Sequence, residues 1–391
     1  MSKNGNGEGS IYKDKKGRWR GQVNLPSADG KVRRKYFYGQ TRKEVADKVA
    51  ELMSQIKSNT YVEPCKVTLY EWLCEWLEIY CKPELRMTTY VNYELYIHKH
   101  IKDSIGRYRL SELTTAKFQQ YYNEKAKNGR LDGKGGMNPK SLRNMHNMLH
   151  KALDQAVNMD MMLKNPTTYA VLPKYPKKEM RFFTVEEQKQ LQEAIKGDKL
   201  EMPILIALYT GVRQGELLGL KWKYVHLDLK GESYIRIVET INRVKNTDPS
   251  IPTKTVLVVN RPKTTHSMRT IPLLPNIARR LAEYKAEQDR IRKEKGFPYN
   301  DYVFTATNGM VLDPRDFQRD YKLLLKRNGI REINVHGLRH TFATRALESG
   351  MSPKTLSKIL GHSSVGFTLD TYAHVTDELK AEEMAGMNEF L

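Results

Sequence analysis

The stretch His336-Gly337-Leu338-Arg339-His340-Thr341-Phe342-Ala343-Thr344 sets two histidines four residues apart, with an arginine between them. In a helix that spacing stacks both imidazoles on one face, which raises a metal site. The zinc-protease pattern needs a glutamate directly after its first histidine, and that position here is Gly337. Arg339 favours an anion instead, because a guanidinium presents a planar fork that matches phosphate.

Three other pieces of the C-terminal half carry related chemistry. In Thr210-Gly211-Val212-Arg213-Gln214-Gly215-Glu216 a turn glycine precedes a helix with Arg213 on its opening turn and Glu216 one turn along. The positive helix end and the Arg213 fork suit a phosphate, and Glu216 is placed to orient that fork. Arg261 to Pro272 reads as a hairpin tip with Lys263 just past Pro262. An ammonium there suits proton delivery to a leaving oxygen, or simple contact with a polyanion. Leu360-Gly361-His362-Ser363-Ser364 then leads to Leu369-Asp370-Thr371-Tyr372-Ala373-His374-Val375. Tyr372 is a candidate nucleophile whose phenol, with a reference pKa of ~10, needs neighbouring cations or a base to attack.

The charge balance points to the same partner. Against 45 Asp+Glu stand 66 Lys+Arg, a formal net charge of +21, which indicates a polyanion. A length of 391 residues predicts two or three domains. The longest apolar run, Pro203 to Leu208, is far short of a membrane span, and Met1 to Gly5 lacks the apolar core of a secretory leader. Cys65, Cys74 and Cys81 are too few and wrongly spaced for a disulfide or zinc framework. These features predict an intracellular protein with no membrane partner.

Residues 1–60 carry 14 Lys+Arg and 6 Asp+Glu, a net +8. Strand-like pieces at Gly9 to Tyr12, Arg18 to Leu25 and Lys31 to Tyr38, separated by Lys16-Gly17 and Asp29-Gly30, predict a three-stranded antiparallel sheet. Thr41-Arg42-Lys43-Glu44 is a capping box that opens a helix covering one face. Arg18, Arg20, Arg33, Arg34 and Lys35, interleaved with aromatics, are the candidate DNA contacts of the other face. After Ser58-Asn59-Thr60 and Pro64, a second box at Thr68 to Glu71 starts a helical domain over 66–165, with five methionines from Met145 to Met162 as core filling. A Pro/Lys-rich linker is expected at 166–181. Thr184 then caps the first helix of an α+β domain, 182–391, with one small sheet from Ser233 to Glu239, Val256 to Val259 and Arg269 to Pro272.

Taken in order, Arg213, Lys263, His336, Arg339, His362 and Tyr372 resemble the signature of the tyrosine recombinases, and the chain looks like the integrase of a phage or conjugative transposon. The likeness extends over essentially the whole chain. It implies an α+β multidomain protein: an arm-type DNA-binding domain at 1–60, a helical core-binding SAM-like domain at 66–165, and a mixed α/β catalytic domain at 182–391. Glu216 corresponds to the family's acidic helper beside the first arginine.

The resemblance implies that Tyr372 attacks a scissile phosphate and forms a 3′-phosphotyrosine, with no cofactor and no metal. His336 is then the candidate base and orienter, Lys263 the acid, and His362 a further hydrogen-bond donor, whereas His340 and His374 are left structural. The implied partners are double-stranded DNA attachment sites and a homotetramer on DNA, with an excisionase and a host DNA-bending protein as further candidates, in the cytoplasm of a bacterial host. The acidic tail, 375–391, is expected to dock on a neighbouring protomer. A type IB topoisomerase-like enzyme, or a non-catalytic DNA-binding regulator, is the competing reading.

Overall fold

The computed structural model of the protein describes residues 10–25, 33–58, 61, 65–174, 181–228, 230–246, 250–260, 268–362 and 364–372. The Asp29-Gly30 turn, Lys263, His374, the Tyr175 to Lys178 run and the tail 375–391 lie outside them. Packing divides the chain into two units, Met1–Pro176 and Lys177–Leu391.

In the first unit, β1 (Ser10–Lys13), β2 (Trp19–Leu25) and β3 (Arg33–Gly39) form an antiparallel sheet in sequential order, followed by α1 (Arg42–Lys57). Side chains alternate between the faces of a strand. Ile11, Trp19, Val23, Leu25 and Phe37 therefore pack with Val45, Val49 and Leu52 of α1. Tyr12, Arg20 and Tyr38, which lie opposite one another across the three strands, share the other face with Tyr36. Thr41 accepts the Glu44 N–H at 3.2 Å, but the Glu44 carboxylate takes the Gln40 N–H, so only half of the expected capping box forms.

The pleat also corrects the list of basic contacts. Arg33 and Lys35 have the parity of Phe37 and fall on the α1 side, where Lys35 Nζ lies 5.6 Å from the Tyr61 ring. Arg20 and Arg34 fall on the aromatic face. The Arg20 guanidinium stacks 4.0 Å from the Tyr36 ring centroid, and Arg18 sits 5.3 Å from that of Tyr38.

The same unit holds a helical core built from α2 (Leu69–Trp76), α3 (Met87–Leu95), α4 (Thr115–Asn128) and α5 (Pro139–Asn158). Leu69, Trp72, Leu73 and Trp76 recur at helical spacing on α2 and are buried, and the Trp72 indole N–H donates to the Ala152 carbonyl of α5 at 2.9 Å. Met145, Met148 and Met162 are core residues, but Met159 is exposed, which corrects its assignment as filling. Residues expected to begin the linker are instead tied down. Thr167 bonds the Asn165 side-chain oxygen through both its N–H and its hydroxyl, and Gln119 of α4 pairs with the backbone of Val171.

The second unit runs α6 (Val185–Ala194), α7 (Glu201–Thr210), α8 (Gln214–Leu218), β4 (Val225–His226), β5 (Tyr234–Ile237), β6 (Thr240–Lys245), β7 (Thr255–Asn260), β8 (Arg269–Pro272), α9 (Pro275–Lys295), α10 (Pro314–Arg327), α11 (Val335–Glu348), α12 (Pro353–Leu360) and α13 (Val365–Thr371). In place of one small sheet there are two, β4-β5-β8 and β6-β7. Only Val238 and Glu239 separate β5 from β6, and they carry the chain out of one sheet and into the other. α7 is buried nearly all round, from Met202 to Leu208, as befits a central helix, and α11 packs against it. Among the described residues no helix is long and apolar enough to cross a membrane.

Candidate active site

The site is organised around the C-terminal end of α12. The last carbonyls of a helix have no partner within it and carry the negative end of its dipole, so they attract guanidinium groups. Three arginines from three elements meet here. Arg269 of β8 donates through Nε to the Ile359 carbonyl, Arg339 of α11 reaches the Leu360 carbonyl at 2.8 Å, and Arg213 at the start of α8 reaches the Gly361 carbonyl at 3.2 Å. Arg339 also donates to the Gly211 carbonyl, just past α7, at 2.7 Å. Gly211 and Gly361 both adopt left-handed backbone, with φ of +63° and +64°. A Cβ at Gly211 would lie 2.4 Å from the Phe342 ring, and one at Gly361 3.1 Å from the Arg269 guanidinium.

Glu216 is the counter-charge. Its carboxylate accepts the Arg213 N–H at 2.9 Å, the Arg213 side chain at 2.8 Å, and a two-point contact from Arg269 at 2.8 and 3.1 Å. Burial alone would raise its pKa, but the hydrogen bonds and charge of Arg269, joined by the charge of Arg213, hold it at about 2. Burial, reinforced by the charge of Arg213, lowers Arg339 to about 9, which still leaves it cationic at neutral pH. Three guanidinium groups against one carboxylate leave the cluster positive. The Arg213 side chain is 40% exposed while that of Glu216 is only 2% exposed, so Arg213 is the member that meets solvent.

Tyr372 ends α13 and is buried, packed with Ala343, Ala346, Leu347, Leu356 and Leu360. Its hydroxyl lies 2.9 Å from Nδ1 of His340, and His336 stands edge-on to the His340 ring with centroids 4.8 Å apart. His362, just past Gly361, has Nδ1 2.7 Å from the Thr368 hydroxyl. Burial raises the Tyr372 phenol to about 12, offset in part by the charge of Arg339. Burial and nearby cationic groups lower His340 to about 4 and His362 to about 3, and burial with the charge of Arg339 lowers His336 as well. The described imidazoles of the site are therefore neutral at pH 7.

Five of the six residues expected to carry the chemistry thus converge, and Lys263 lies outside the described residues. It is His340, and not His336, that touches the phenol. Arg269 is a site member that the motif spacing does not single out. Its strand parity does carry a signal: Arg269 shares a face with the buried Ile271, and an inward-facing arginine needs an anionic partner. Among the described residues no group of three or more His, Cys, Asp or Glu side chains is placed to hold a metal ion.

Known proteins resemble the chain over most of its length. Residues 181–378 match the phage integrase family, and residues 68–126 match the phage integrase N-terminal SAM-like domain. A XerC-like tyrosine recombinase of Caldanaerobacter subterraneus is 32% identical over 92% of this chain and 93% of its own length. The transposase of transposon Tn916 from Enterococcus faecalis is 26% identical over 88% of this chain and 82% of its own. Among solved structures, the Tn1549 transposon integrase in complex with transposon right end DNA superposes with a TM-score of 0.67 at 23% identity, covering 82% of this chain and all of that one. A lambda integrase dimer bound to a core site gives 0.53 at 19% identity, over 92% and 93% of the two chains. The chain belongs to the phage integrase family of tyrosine recombinases, enzymes of site-specific DNA recombination that integrate and excise mobile elements.

Proposed function

We propose that the protein cleaves and rejoins double-stranded DNA at attachment sites through a 3′-phosphotyrosyl intermediate on Tyr372, integrating and excising a mobile element. The supporting observation is the gathering of Arg213, Arg269 and Arg339 on one helix end, in the same part of the fold as His340, His362 and Tyr372. The Tyr372 oxygen attacks phosphorus, the bond from phosphorus to the 5′-oxygen breaks, and Lys263 delivers a proton to that oxygen. Arg213 and Arg339 neutralise the charge that builds on the phosphoryl oxygens. In the tautomer in which Nδ1 of His362 accepts from the Thr368 hydroxyl, 2.7 Å away, the ring proton sits on Nε2 as a phosphate donor.

In the free protein the phenol proton stays put. Tyr372, raised by burial to about 12, is a far weaker acid than protonated His340, lowered to about 4, so transfer of that proton to His340 is unfavourable. Bringing a phosphate to the site requires Tyr372 to leave its buried place, after which His336 is the candidate base. The aromatic face around Arg20 is assigned to distal arm DNA. A homotetramer joined through the 375–391 tail, an excisionase and a host DNA-bending protein complete the assembly.

Tyr372→Phe tests the reading. It removes the attacking oxygen and little volume, so covalent capture on a nicked suicide duplex should vanish on a denaturing gel while specific binding persists. An adduct in this variant would overturn the assignment. Recombination between two different sites separates the enzyme from a topoisomerase-like activity that only reseals the original strand.

A further inference from the structure

We propose that Arg269 is a positioning residue of the phosphate site, clamping Glu216 to the end of α12 and thereby holding Arg213 and Arg339 in their places. This inference rests on the reading of Tyr372 as nucleophile, but part of its test does not.

The geometry sets Arg269 apart from Arg213. Its side chain is 6% exposed against 40% for Arg213, so it is committed to the protein rather than to a ligand. Both of its terminal nitrogens bond Glu216 and its Nε bonds the Ile359 carbonyl, so one rigid fork joins β8, α8 and α12. Arg213 divides its fork between Glu216 and the Gly361 carbonyl and has an exposed edge. When Arg213 turns toward a phosphate, Glu216 loses part of its partnership, and a buried carboxylate with no second cation would take up a proton. Arg269 keeps it ionised through that exchange. The absence of a side chain on Gly361 leaves room for Arg269, since a Cβ there would lie 3.1 to 3.3 Å from three of its side-chain atoms.

The charged and titratable groups that face Glu216 are Arg213 from the start of α8, Arg269 from β8, and Arg339 and His336 from α11. Arg269→Gln removes one of these and keeps a hydrogen-bonding side chain. Burial then raises the Glu216 carboxyl, which becomes protonated on the acid side and releases its hold on Arg213. Cleavage of a nicked suicide duplex carrying the element junction should fall by on the order of 10²-fold, the scale of a misplaced catalytic group. The remaining rate should gain an acid limb beyond that of the wild type, and adding Glu216→Gln should abolish the added limb. Arg269→Lys retains the charge and should restore part of the rate with a flatter profile.

The arm that needs no DNA is a carbon-13 titration of Glu216 in the full chain, assigned by subtracting Glu216→Gln, in which Arg269→Gln and Arg269→Lys both shift the midpoint upward, the lysine less. An unmoved titration in the folded lysine variant overturns the proposal, whatever the recombination assay shows. So does a rate loss whose pH profile parallels the wild type and ignores Glu216→Gln. Absence of wild-type adduct with a shifted titration would instead refute the nucleophile reading and leave the clamp standing.

Discussion

Replacing His340 with glutamine keeps a hydrogen-bonding partner for the Tyr372 hydroxyl and removes a group that titrates. In the folded protein His340 is lowered to about 4 by burial and by the nearby His336 and Arg339, whereas an unfolded histidine titrates near ~6.5. Between those two values the unfolded chain binds a proton that the folded one does not, so stability is fully present above ~6.5 and declines as pH falls toward 4. The slope is ~1.4 kcal/mol per pH unit, so His340 costs the second unit about 2 kcal/mol between pH 7 and pH 5. His336, His362, Arg339 and Glu216 titrate in both proteins, so the comparison isolates one ring. Urea unfolding of the full chain, followed by hydrogen exchange in peptides spanning 335–348, should show an acid loss about 2 kcal/mol smaller in His340→Gln. Equal acid sensitivity in the two proteins would refute a buried, neutral His340 on the phenol.

Other perturbations read the same site from different sides. Arg339→Lys leaves either the Gly211 or the Leu360 carbonyl without its charged donor, worth ~1.5–3 kcal/mol, so single-turnover cleavage should drop by on the order of 10²-fold or more while gel-shift affinity changes little. Gly211→Ala places a Cβ in left-handed backbone, ~1–2 kcal/mol, and against Phe342 and Leu360, so the unfolding free energy should fall by about 3 kcal/mol in all. Arg20→Ala should weaken binding to long duplexes bearing arm sites and lower the salt slope by about one, without altering cleavage of short core duplexes. Equal binding of arm-bearing and short DNA by wild type and variant would count against the arm assignment.

Much of the protein is legible in its residues alone. The order Arg213, His336, Arg339, His362, Tyr372 needs no coordinates, because each lies in a local string whose spacing is set by one turn or one helix. The N-terminal sheet and its covering helix are equally local: alternation along β2 and the Thr41 cap are short-range properties. What the one-dimensional pattern leaves open is which distant elements share a partner. Strand parity moves Arg33 and Lys35 off the aromatic face, and the two-residue step between β5 and β6 splits one expected sheet into two. Two histidines on one face of α11 look interchangeable by spacing, and only the seating of Tyr372 among Ala343, Ala346 and Leu347 of that helix brings its hydroxyl to His340. Arg269, Arg339 and Arg213 come from a strand, a helix and a helix start spread over more than a hundred residues of sequence. They meet because the unpaired carbonyls at the end of α12 and the buried carboxylate of Glu216 offer them acceptors, and that depends on long-range packing that no local spacing encodes.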